Sequence, residues 1–129
     1  MAVFRPQKDT VCELNFDDKF TFNLAIHEDT IKKISSIANA QLKKLKAINT
    51  EDEGALDEAY NSALDALDEI LGEGASDKIM SLFESPGLID VASVITFIAQ
   101  EYAAQYEKVL GAYKAEGKTI PSTARRGRR

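Results

Sequence analysis

Phe20, Phe22, Leu24 and Ile26 alternate with Thr21, Asn23 and Ala25. A period of two sends alternate side chains to opposite faces of a pleated strand, so this segment predicts a strand with one buried face. Val11 to Phe16 is short and rich in strand formers, and Asp17, Asp18 and Lys19 can turn the chain between the two. The expected product is a β-hairpin over about residues 11–26. A lone hairpin is only marginally stable in water, so its phenylalanines must pack on something helical.

From Glu28 onward the period lengthens. Ile31, Ile34, Ala38, Leu42, Leu45 and Ile48 recur every three or four residues, with Ile37 beside them. At ~100° per residue they form one stripe, which predicts a helix over about 28–48. Glu28 and Asp29 in its first turn, and Lys43, Lys44 and Lys46 near its end, suit the helix dipole. Thr50-Glu51-Asp52-Glu53 reads as a capping box opening a second helix over about 51–71. That helix carries Leu56, Ala59, Tyr60, Ala63, Leu64, Leu67, Ile70 and Leu71 on one face and Asp57, Glu58, Asp65, Asp68 and Glu69 on the other. Gly72 is expected to end it, because glycine accepts the left-handed conformation cheaply. Ser76 is placed to cap a short helix over about 76–84, which Ser85-Pro86-Gly87 breaks.

A long helix is expected from about 88 to 116, with Gly117 ending it. Leu88, Val91, Ile95, Ile98, Tyr102, Tyr106, Val109 and Tyr113 line one stripe. Phe97 points ~180° away from Leu88, with Val94 near it, so the first half of the helix is apolar nearly all round. Such a helix is normally covered on several sides. Either the hairpin covers Phe97 or another chain does. Val94, Phe97, Tyr102, Tyr106 and Tyr113 are therefore the candidate partner-binding residues, because aromatic side chains are enriched in interface cores. The fold class is mainly α (α+β): a short N-terminal hairpin followed by about four helices, the last one long. Residues 1–117 form a single domain, and 118–129 read as a flexible basic tail.

Charge sharpens this picture. The net charge of −5 conceals an uneven distribution. Lys118, Arg125, Arg126, Arg128 and Arg129 put five positive charges on the last twelve residues, where no Asp or Glu follows Glu116. Ala47 to Asp77 holds ten carboxylates and no Lys or Arg, directly after the basic block of the first helix. In an antiparallel helical pair these faces would lie side by side, at ~0 to 1 kcal/mol per exposed ion pair. Arg125, Arg126, Arg128 and Arg129 complete the candidate partner-binding set: they could contact an acidic protein surface or, by charge, nucleic acid. The tail lacks the interleaved aromatics that stack on bases, so nucleic acid is the less favoured partner.

Candidate chemistry is sparse. Cys12 is the only cysteine and His27 the only histidine. An internal disulfide and a Cys/His zinc site are excluded, and no nucleophile, base and orienter are marked as a set. Cys12 lies in a strand and reads as a buried, inert thiol. Asp57, Asn61, Asp65 and Asp68 share a helical face but lack the loop that a calcium site requires, so they read as a solvated face. Gly72-Glu73-Gly74-Ala75-Ser76 lacks the Gly-Lys-Ser/Thr ending of a phosphate-binding loop, and Glu73 and Asp77 would repel the anion. No catalytic residue, cofactor or metal is expected. The longest apolar run, Val91 to Ala99, is too short to cross a bilayer, and Met1 to Lys8 contains no apolar signal segment. These features point to a cytosolic interaction protein.

From about Thr10 to Glu116 the order of features resembles the tail assembly chaperones of long-tailed, siphovirus-type bacteriophages and prophages of Gram-positive bacteria. The resembling parts are the hairpin with Phe16 and Phe20-Thr-Phe-Asn-Leu24, and the helix of Ile31-Lys-Lys-Ile34. An acidic helix closing on Ile70-Leu71-Gly72 follows, and then the long helix with Val94-Ile-Thr-Phe-Ile98 and Glu101-Tyr102. The resemblance implies a small, mainly helical, non-enzymatic protein of the host cytoplasm. It implies binding to the tape measure protein and to the tail tube subunits (the major tail protein), absence from the finished virion, and in many cases a longer frameshifted product. The strongly basic C-terminus is not typical of the family. Self-association through the long helix is a further expectation. The alternative reading is a small nucleic-acid-associated or regulatory protein acting through its basic tail.

Overall fold

The computed structural model describes residues 2–4 and 10–119, with side chains described as far as Lys114. Two antiparallel strands, β1 (Val11–Phe16) and β2 (Phe20–Ala25), are followed by helices α1 (Glu28–Ala47), α2 (Glu53–Leu71), α3 (Ala75–Met80) and α4 (Leu88–Thr119). The expected mainly helical α+β architecture is present, with the hairpin first and the long helix last.

The hairpin pairs Val11 with Ala25 and Phe16 with Phe20 at its two ends. Asp17 and Asp18 adopt φ of 56° and 55°, which an aspartate tolerates better than most residues. The Lys19 amide donates to the Phe16 carbonyl, and the Asp18 amide donates to Asn15 Oδ1, so the turn is held by backbone and side chain together. Cys12, Leu14 and Phe16 are buried, whereas Phe20, Phe22 and Leu24 are half-buried. β1 thus faces the centre of the domain, and β2 lies at its margin.

α4 is the central element. Its Val91, Ile95 and Ile98 are buried in a core that includes Ile34 of α1 and Ala63, Leu67 and Ile70 of α2. Beside this stripe Val94 is buried, and further round the helix the Phe97 ring meets the Phe16 ring edge-on at 5.6 Å. The hairpin covers one side of α4 and the helical pair covers the other, which is why the first half of α4 is apolar nearly all round. Val94 is therefore a core residue and not a free contact. The choice between hairpin and second chain as the cover of Phe97 is resolved mainly toward the hairpin, although Phe97 keeps 40% of its surface.

Several boundaries differ from the expected ones, each for a local reason. α1 ends at Ala47, and Ile48 turns to extended backbone as its C-cap. The N-cap of α2 is Asp52, not Thr50: Asp52 Oδ1 accepts from the Ala55 amide, and Asn49 Oδ1 accepts from the Glu51 amide in the turn before it. Aspartate is among the strongest N-caps, so it displaces the Thr50-Glu53 box. α3 is shorter than expected, and its N-cap is Gly74 in the left-handed region (φ 86°), not Ser76. The Ser76 amide instead donates to Asp68 Oδ1 of α2 at 2.7 Å. After Met80 the chain turns, and Leu82 and Phe83 pack against the core from that turn. α4 passes through Gly117 to Thr119, where a terminator was expected. An internal glycine costs a helix only ~1 kcal/mol relative to alanine, which neighbouring helix formers offset. Lys118 therefore belongs to the helix, and the rest of the basic tail from residue 120 lies outside the described residues.

Candidate interaction surface

Residues of α1, α2 and α4 line an apolar groove of about 160 Å³ between the three helices. Its floor is built of small side chains, Ala38, Ala59, Ala63, Ala92 and Ala99, together with Leu45, Leu88 and Ile95. Alanines on three facing helices cannot fill the space between helix axes, so a gap follows from the residue sizes. Asn39, Gln41, Lys44, Thr96 and Gln100 form a polar rim. Leu42 lies on the lip with half of its surface exposed. An apolar floor with a polar rim has the composition of a binding surface.

The rim also shows how α1 and α2 are joined. Lys44 Nζ donates to Ser62 Oγ at 2.7 Å, and Gln41 Nε2 approaches the same oxygen at 3.4 Å. Among the described residues no ion pair links the basic block of α1 to the carboxylates of α2. The side-by-side charge pairing expected from the sequence is thus replaced by contacts to a neutral hydroxyl.

A second apolar surface lies on the hairpin side of α4. Phe97 keeps 40% of its surface there. Phe97, Val94, Leu82 and Phe16 line a shallow depression. Phe16, Phe20 and Phe22 form a ring cluster beside it, with centroid separations of 5.7 to 5.8 Å. Lys78 Nζ lies 5.0 Å from the centre of the Phe20 ring, a cation–π contact that ties α3 to β2.

The aromatic candidates of α4 separate into distinct roles. Tyr102 is wholly buried, and its hydroxyl donates to the Ala25 carbonyl at 2.6 Å and accepts from the His27 amide at 3.1 Å. It pins the end of the hairpin to the start of α1 and offers no surface to a partner, which corrects its place in the candidate set. A tyrosine on an apolar stripe looks the same in sequence whether it is an anchor inside the chain or outside it. Tyr106 is half-buried and stacks on Tyr102 at 6.5 Å, while Tyr113 is 56% exposed. Arg125, Arg126, Arg128 and Arg129 lie outside the described residues.

His27 is the N-cap of α1, its Nδ1 accepting from the Asp29 amide at 3.0 Å. Cys12 is wholly buried, and burial pushes its thiol up to about 11, with the Glu101 carboxylate adding to the rise. Asp57, Asn61 and Asp65 are exposed, whereas Asp68 is engaged as the acceptor at the start of α3. Among the described residues no group of three His, Cys, Asp or Glu side chains is gathered as a metal site. No described helix is long and apolar enough to cross a membrane. In comparisons with known proteins, no family model matches the chain, and neither a curated protein nor a solved structure matches it.

Leu42 and the alanine floor were not among the residues that the sequence marked for binding. Leu42 shares the periodicity of the α1 core stripe, and periodicity does not reveal where packed helices leave a gap. The available signal was the number of alanines on the three facing stripes.

Proposed function

We propose that this protein is a non-enzymatic tail assembly chaperone of a siphovirus-type phage or prophage. In this reading it holds a tape measure protein and brings it together with tail tube subunits in the host cytoplasm, and it leaves before the virion is complete. The order of hairpin, basic-ended helix, acidic helix and long helix supports the reading, since that order carries the resemblance. The observation on which it chiefly rests is the open groove between α1, α2 and α4. Its apolar lining suits side chains from one face of an amphipathic helix, a common mode of protein recognition. Reversible binding follows from the size of the groove, because a small contact with a wet rim does not lock a partner in place.

The reading is tested by co-expressing the chain with a tape measure protein from the same phage genome. The expected result is that the tape measure protein stays soluble and co-purifies with the chain. A tape measure protein that aggregates equally with and without the chain would contradict it.

A further inference from the structure

The two edges of the hairpin are treated differently. Ile26 donates its amide to the Thr10 carbonyl, which sets the parity of the ladder: even-numbered residues of β1 and β2 bond to each other, and odd-numbered ones turn their backbone groups outward. On the β1 edge, the outward amide of Glu13 donates to Gln105 Oε1 at 3.3 Å, and its carbonyl accepts from Gln105 Nε2 at 3.1 Å. The side-chain amide of Gln105 thus stands in for a neighbouring strand. On the β2 edge, the Ala25 carbonyl is taken by Tyr102, but Thr21 and Asn23 turn their backbone groups outward, and among the described residues no side chain bonds to them as Gln105 does to Glu13.

We propose that the β2 edge pairs with the β2 edge of a second copy of this chain, antiparallel about a two-fold axis, to give a continuous four-stranded sheet. Parity allows a self-complementary register with Phe22 opposite Phe22 of the second copy. Thr21 then faces Asn23 in each half, and the two pairs exchange four backbone hydrogen bonds. Phe20 falls opposite Leu24, so the half-buried apolar row of β2 meets its own copy and is covered by it. β2 contains no Lys, Arg, Asp or Glu, so no like charges oppose each other along the paired strands. It also lacks the proline or inward charge that usually guards an exposed edge. Lys78 Nζ lies over the Phe20 and Phe22 rings at 5.0 and 5.8 Å, a side-chain contact that takes up none of the outward backbone groups of β2. None of the residues lining the groove belongs to the hairpin, so a dimer formed this way keeps both grooves open. The inference stands apart from the proposed function.

The test is sedimentation of the full chain together with cysteine cross-linking. The wild type is expected to sediment at twice the 14.2 kDa chain mass at micromolar concentration. Asn23→Pro removes one outward amide per chain and leaves the internal ladder intact, because proline is tolerated where the missing N–H faced away from the partner strand. Losing two of the four bonds should weaken association about ten- to a hundredfold. Phe22→Cys should form a disulfide-linked dimer on mild oxidation, because directly opposed non-hydrogen-bonded residues lie ~4.5 Å apart at Cα. Thr21→Cys should not, its copy being diagonal and out of reach. The buried, poorly ionised Cys12 leaves the wild-type background clean. A wild type that stays monomeric, a dimer indifferent to Asn23→Pro, or cross-linking through position 21 in place of 22 would each overturn the proposal. If Asn23→Pro fails to fold, the wild-type mass and the two cysteine variants decide.

Discussion

Tyr102 concentrates three connections in one hydroxyl-bearing side chain: the core of α4, the last carbonyl of β2 and the first amide before α1. Tyr102→Phe keeps the ring and strands the His27 amide and the Ala25 carbonyl without their partner. Leaving such groups unsatisfied costs ~1 to 3 kcal/mol, so the urea midpoint should fall while the far-ultraviolet spectrum stays native. Cys12 makes a prediction in pH. Its thiol ionises at about 11 in the folded chain against 9.0 when free, so the folded form binds more protons across that window. Stability contributed by the neutral buried thiol is complete below pH 9 and is lost as pH rises toward 11, by of order 2 kcal/mol. Cys12→Ala should flatten the fall in melting temperature between those pH values, and native protein at neutral pH should resist alkylation at this thiol.

At the scale of elements, caps decide more than stripes do. The period-two run of Phe20 to Ile26 and the three-to-four spacing of Ile31 to Leu45 announce the hairpin and α1 directly, because a buried face leaves its period in the sequence. Helix ends were less legible. Thr50-Glu53 and Asp52 both offer a start to α2, and only the geometry of the turn at Asn49 selects the aspartate. Ser76 looked like the cap of α3, yet its amide is satisfied from eight residues earlier by Asp68, a contact that no local pattern records. Asp68→Ala should cost ~1 kcal/mol and loosen α3, read as faster amide exchange at Ser76 to Ile79 relative to α2. The opposed directions of Phe97 and Leu88 announced that α4 has two packed sides, but not that Phe16 would meet Phe97. Phe97→Ala should cost less than the ~3 to 5 kcal/mol of a fully buried phenylalanine, because 40% of its surface is already in water.

On the scale of the whole molecule, α4 organises two surfaces with separate chemistry. The hairpin side carries aromatic rings and the outward edge of β2. The helical side carries a groove floored by alanines, with Leu42 on its lip. The first was partly legible, since the phenylalanines of β2 and Phe97 stood out from the pattern. The second was hidden, because a groove is a property of how three helices pack together, and each contributing residue is ordinary on its own stripe. Binding of a tail protein in that groove is the central claim. Leu42→Glu places a charge on the lip without entering the core, so the melting temperature should stay close to that of the wild type. Titration calorimetry of a purified tape measure segment into the wild type and into Leu42→Glu tests the claim most directly. Saturable heat with the wild type and at least about tenfold weaker binding by the variant, each ~1.4 kcal/mol being a factor of ten, is the predicted result. Equal binding by both proteins, or none by the wild type, would contradict it.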